Sequence, residues 1–124
     1  GNALRWLGLC HGLVPIEVAP GGDTSWRMVS LDSPEALVED GEAMHHCAGA
    51  YRALAEARSV SLWSLQRSVA GGRPSRVATV EVALGVRAVV QARGFANAPC
   101  ASEALDVVER WAAENHLSVR LRGA

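Results

Sequence analysis

Lysine is absent from this chain: among its 124 residues the twelve basic ones are all arginine, set against thirteen acids, for a formal charge of -1. So even a balance excludes the broad basic surface that drives counterion release on nucleic acid, while leaving room for a local arginine patch. The arginine bias fits a GC-rich genome, and arginine also suits bidentate phosphate contacts. Cysteine is scarce. Cys10, Cys47 and Cys100 are odd in number, widely spaced and without a CxxC pair, which argues against a secreted disulfide framework and for reduced thiols in a cytoplasmic protein. Long apolar runs are missing too. The patch over residues 4–14 is broken by Arg5, Gly8, His11 and Gly12 and lacks a basic start or a small-residue cleavage site, so neither a membrane anchor nor a signal peptide is expected.

What remains is a chain that is 49% hydrophobic, too apolar for a disordered segment and the usual length of one domain. A single domain over residues 1–124 is expected, with the opening at Gly1-Asn2 read as the edge of a piece cut from a longer protein. Residues 1–24 are expected to be irregular, because Pro15, Pro20 and Gly21-Gly22-Asp23 break regular elements; only a short helix near residues 3–9 fits. Residues 25–31 alternate as a strand. Ser33-Pro34-Glu35 is a helix start, in which serine caps, proline takes the first position and the acid favours the positive dipole end. That helix is expected to end near Asp40-Gly41.

From residue 43 to 57, Met44, Cys47, Ala48, Tyr51, Leu54 and Ala55 recur at helical spacing, which predicts a second, amphipathic helix carrying Cys47. Residues 60–66 read as a strand and residues 70–75 as the loop that reverses it. Residues 76–84 and 86–92 then read as a hairpin: Ala78, Val80, Val82, Val86, Ala88 and Val90 make one apolar face, and Glu81 faces Arg87 across a turn at Gly85. Ser102 is expected to cap a last helix with Ala104, Leu105, Val108, Trp111 and Ala112 buried and Asn115 at its end, before a final strand over residues 117–121. The fold class is α+β: a mainly antiparallel sheet of four to five strands with two principal helices, the Cys47 helix and the Trp111 helix, packed on one face. The tryptophans Trp6, Trp26, Trp63 and Trp111 belong to core or interface rather than to base-stacking platforms.

Chemistry concentrates at Met44-His45-His46-Cys47, where two imidazoles adjoin a thiol. A thiol reacts as its thiolate, and a helix N-terminus or a histidinium lowers its pKa. Neighbours on a helix project about 100° apart, so the base for Cys47 could be His46 or instead His45, His11 or His116. The plain alternative is a small apolar core residue, the commonest fate of a free cysteine. A metal site from His45, His46 and Cys47 with Cys10, His11 or Cys100 lacks paired-ligand spacing, so neither metal nor other cofactor is expected. Gln91-Ala92-Arg93-Gly94-Phe95-Ala96-Asn97 carries amides and a guanidinium that could hold an oxyanion or phosphate, or could be turn chemistry, with Gly94 at positive φ. Glu81, paired with Arg87 on an exposed face, would not be poised near neutral pH.

Taken in order, Leu37-x3-Gly41-x2-Met44-x-His46-Cys47-x3-Tyr51, then Ala78-Thr79-Val80-Glu81-Val82, then Gln91-x-Arg93-Gly94-x2-Asn97, and a helix ending in Trp111 resemble the PcfJ-like family of proteins from conjugative plasmids, phages and other bacterial mobile elements. The resemblance spans roughly residues 25–115. It brings no settled activity. It implies that the matched positions His46, Cys47, Tyr51, Thr79, Glu81, Gln91, Gly94 and Asn97 belong to a shared site, in which Cys47, His46 and Glu81 are the expected catalytic residues and Tyr51, Thr79, Gln91, Arg93, Gly94 and Asn97 are expected against a substrate. Two readings stay open. One is a Cys/His-dependent hydrolase or transferase; the other is a non-catalytic binding module of a DNA-processing or transfer complex. The charge balance favours a small-molecule or protein partner over nucleic acid, and no membrane is expected. For Cys47 and Gln91 to share a pocket they must meet at the end of a strand, since a helix covering the apolar face would face away from Gln91.

Overall fold

The computed structural model describes residues 17–21, 23–45 and 60–121. Within them the elements run β1 Glu17–Gly21, β2 Thr24–Ser30, α1 Pro34–Met44, β3 Val60–Val69, β4 Ser75–Ala83, β5 Ala88–Arg93, a 3-10 turn Phe95–Asn97, α2 Ser102–Glu114 and β6 Ser118–Val119. The strands form one sheet in chain order. Neighbours are antiparallel from β1 to β5, and β6 lies parallel to β5. The architecture is α+β with a mainly antiparallel sheet. Residues 1–24 are not irregular throughout, because Glu17–Gly21 pairs with β2 despite Pro20. An edge strand tolerates proline, since one side of its backbone needs no partner.

Ser33 Oγ accepts from the Ala36 amide at 3.1 Å, with Pro34 leading α1 and Glu35 in its first turn. The helix does not stop at Asp40-Gly41. It runs on to Met44 and ends at His45, whose backbone is left-handed, because Leu37, Asp40, Gly41 and Met44 form one continuous buried stripe. Ala43 and Met44 are therefore the last turn of α1 rather than the first of a Cys47 helix. The remainder of that expected helix, residues 46–57, lies outside the described residues. At α2 the cap is Ala101, without a side-chain bond, and Ser102 is already helical; Asn115 ends the helix as expected. The final strand shrinks to two residues.

Two β-bulges decide which side chains share a face. Between β3 and β4 the pairs Leu65 with Ala78 and Gln66 with Arg76 leave Val77 extra, and between β4 and β5 the pairs Glu81 with Gln91 and Val82 with Val89 leave Val90 extra. Each bulge reverses the alternation beyond it. One face thus gathers Trp26, Met28, Trp63, Leu65, Ala78, Val80, Val82, Val89 and Ala92 under Val108 and Trp111 of α2. Trp63 and Trp111 are both fully buried, ring centroids 4.9 Å apart, and the Trp63 indole donates to Ser61 Oγ at 2.8 Å. The other face receives α1, whose Asp40 bonds Thr79 from between the buried Ala78 and Val80. The two described helices therefore lie on opposite faces.

The β4–β5 connection is a four-residue turn, Leu84 to Arg87, with Arg87 left-handed and its amide bonded to the Leu84 carbonyl. This corrects the expected hairpin: Val86 is exposed at the tip, and Arg87 donates to the Asn115 carbonyl at 2.8 Å instead of facing Glu81.

Candidate site on the α1 face of the sheet

Opposite the tryptophan core, the sheet presents polar side chains beneath a helix. Ser64, Thr79 and Arg93 form one cross-strand row, and Leu62, Glu81 and Gln91 the next. Alternation alone would send Gln91 to the face of Val89, and the bulge at Val90 turns it back toward Glu81. Glu81 is 6% exposed, so the picture of a solvated cross-strand pair with Arg87 is overturned. A carboxylate buried this deeply must have polar company, and Glu81 does not lack partners. Thr79, Gln91 and Arg93 are half-buried around it.

Asp40 closes this layer from above. It is 1% exposed; its Oδ1 accepts from Arg76 Nη1 at 2.7 Å and its Oδ2 from Thr79 Oγ1 at 2.5 Å. Arg76 also bonds Glu39 at the helix surface. Ser64, fully buried, accepts from Gln66 Nε2 at 3.1 Å, and Gln66 in turn accepts from Arg27. Asp40, Arg76 and Ser64 were missed in the sequence. The signal was there: Asp40 interrupts an apolar stripe at helical spacing, but Asp-Gly reads just as well as a helix stop.

The loop after β5 is built differently from expectation. Gly94 has φ -81, so no left-handed backbone requires glycine there; the left-handed residues are Ala96 and Asn97. Gly94 is buried, and a β-carbon on it would lie at ordinary contact distance from the Ala98, Val77 and Pro99 carbonyls. The Asn97 amide N–H donates to the Gly94 carbonyl, and its side chain is exposed. Phe95 is 56% exposed, and the ring of His45 rests against it, centroids 4.5 Å apart. Helix α1 thus delivers the chain to this loop at the residue before His46. Cys100 is half-buried; burial pushes its thiol up from the ordinary value, and the nearby Arg93 guanidinium pulls it partly back.

Of the expected site residues, Thr79, Glu81, Gln91 and Arg93 share one face, with Gly94 and Asn97 on the adjoining loop. His46, Cys47 and Tyr51 lie outside the described residues. Among the described residues no group of three or more His, Cys, Asp or Glu side chains could hold a metal ion, and no helix is long and apolar enough to cross a membrane.

Comparison with curated proteins and with solved structures finds no match. The family model of PcfJ, described as PcfJ-like protein, matches residues 21–109, a span that opens at the end of β1 and takes in both bulged strand pairs, α1, the Gly94 loop and the buried stripe of α2 up to Val108. The match covers well over half of the 124 residues and agrees with the ordered motifs, and the chain belongs to the PcfJ-like family.

Proposed function

We propose that the α1 face of the sheet is a reactive site in which Cys47 is the nucleophile, His46 its general base and Glu81 the carboxylate that orients the imidazole, the domain being a Cys/His-dependent hydrolase or transferase. The observation that carries this reading is the seating of His45 on Phe95. Cys47 follows His45 by two residues in the sequence. A buried carboxylate, a half-buried amide and a half-buried guanidinium occupy the same face of β4 and β5. Thiol, base and orienting acid is the arrangement that lets a cysteine act at neutral pH. Gln91 and Asn97 then hold or polarise a carbonyl, while Thr79, Arg93, Gly94 and Tyr51 line the substrate.

The parent protein belongs, on this reading, to a plasmid, phage or other bacterial mobile element and works in the cytoplasm on a small molecule or protein partner. The test is alkylation of the native chain, followed cysteine by cysteine. Cys47 should label at least about tenfold faster than Cys10 and Cys100, the gain expected of a thiol tuned to neutral pH. Equal, slow labelling of all three contradicts it.

A second reading is favoured by the position of Arg93, half-buried at the strand end that leads to the exposed Phe95. That pair suits a non-catalytic binding module in a DNA-processing or transfer complex. Salt-sensitive binding of single-stranded DNA that Arg93→Ala weakens would support it. No binding at low salt removes the nucleic-acid version.

A further inference from the structure

The buried carboxylate of Asp40 has no obvious place in an apolar helix stripe. Leucine there would bury as well and avoid the cost of desolvating an ion. Its two oxygens are held by two different residues of one strand, Oδ1 by Arg76 and Oδ2 by Thr79. In an unbulged strand Arg76 would share the face of Ala78, away from α1; the extra residue Val77 puts it beside Thr79 instead. The bulge and the carboxylate therefore act together. A helix touched only by apolar side chains can rotate or slide at small cost, whereas a carboxylate gripped at both oxygens fixes its rotation and its depth. Five residues on, at the left-handed cap that ends the same helix, comes His45 with its ring on Phe95.

We infer that Asp40, gripped by Arg76 and Thr79, is a positioning residue that sets the point at which the chain leaves α1 and so holds His45 against Phe95. Its consequence for Cys47 rests on the proposed function; the placement of His45 does not.

The test uses the full chain and two readouts. The first is the proton shifts of the His45 ring, displaced by the Phe95 ring current, with Phe95→Leu as the reference for a lost contact. The second is the pH profile of Cys47 alkylation. Asp40→Asn keeps the size of the side chain but not its charge, and Thr79→Val removes one hydroxyl and leaves the ion pair with Arg76, so the second variant carries the test if the first does not fold. In both, the His45 shifts are expected to move toward the Phe95→Leu reference and the midpoint of Cys47 alkylation to rise, with melting still cooperative; Thr79→Ser is expected to restore the native shifts. Moved His45 shifts with an unchanged Cys47 profile would uphold the positioning role and count against the nucleophile. Native His45 shifts in a folded Asp40→Asn or Thr79→Val protein would overturn the inference.

Discussion

Glu81 stands opposite Gln91, and it does so because β5 carries one residue more than β4 between that pair and the pair Val82 with Val89. Without the extra residue Gln91 would point into the tryptophan core. With it, an acid and an amide stand side by side on the face opposite the tryptophan core, Glu81 buried and Gln91 half-buried. The same device re-aims Arg76 one strand earlier.

Substituting Glu81 with glutamine removes the charge and little volume. If Glu81 orients the His46 imidazole, Glu81→Gln should slow Cys47 alkylation at pH 7 by roughly tenfold while leaving a folded protein, since a misoriented base no longer lowers the thiol pKa. Rates per cysteine by mass spectrometry decide it. A rate within twofold of the native one would leave Glu81 with a structural role only.

Cys100 gives a pH signature of opposite sign. Burial raises its pKa, so at neutral pH it holds less thiolate than an ordinary thiol and should alkylate slowly, gaining rate only in the alkaline range. Arg93 opposes that shift, and Arg93→Ala should therefore move the midpoint of the Cys100 profile further up and slow the reaction at any fixed pH below it. A midpoint that falls on loss of the arginine contradicts the assignment.

The reversal between β3 and β4 stores strain at a non-glycine residue. Within the connection over residues 70–74, Ala70 and Gly71 have φ 52 and 71, both left-handed, with the Gly72 amide bonded to the Val69 carbonyl at 2.9 Å. A left-handed alanine costs about 1–2 kcal/mol, and asparagine accepts that backbone more readily. Ala70→Asn should raise stability by up to ~1 kcal/mol, read as a higher urea midpoint at constant slope.

Core and site should separate in mutant stability. Trp111, fully buried against Trp63, should cost about 3–5 kcal/mol as Trp111→Ala. Phe95, largely exposed, should cost within about 0.5 kcal/mol as Phe95→Ala. Denaturant curves of the two variants check both values.

Alternation and capping made much of this fold legible. Ser33-Pro34-Glu35 opens α1 as its residues dictate, Asn115 closes α2, and Trp26, Trp63 and Trp111 lie buried. Bulges defeated the pattern. A period of two carries no mark of an inserted residue, so Val90 was assigned to the apolar face and Glu81 paired with the wrong residue, Arg87. Asp40 was hidden for another reason, since a buried ion within a helix stripe and a helix-stopping Asp-Gly are written with the same letters. For the site, the family motifs picked out Thr79, Glu81, Gln91 and Arg93, which do share a face, while Gly94 proved to need no left-handed backbone.

The proposed role of Cys47 requires its thiol to lie near Gln91 and Asn97. A nitroxide on Cys47, in a chain with Cys10→Ser and Cys100→Ser, measures that through the broadening of nearby proton signals. The side-chain amides of Gln91 and Asn97 should broaden most, with the Trp63 indole on the far face of the sheet less affected. Sharp Gln91 and Asn97 amides beside a broadened Trp63 indole would put the thiol on the wrong side of the sheet and remove the site.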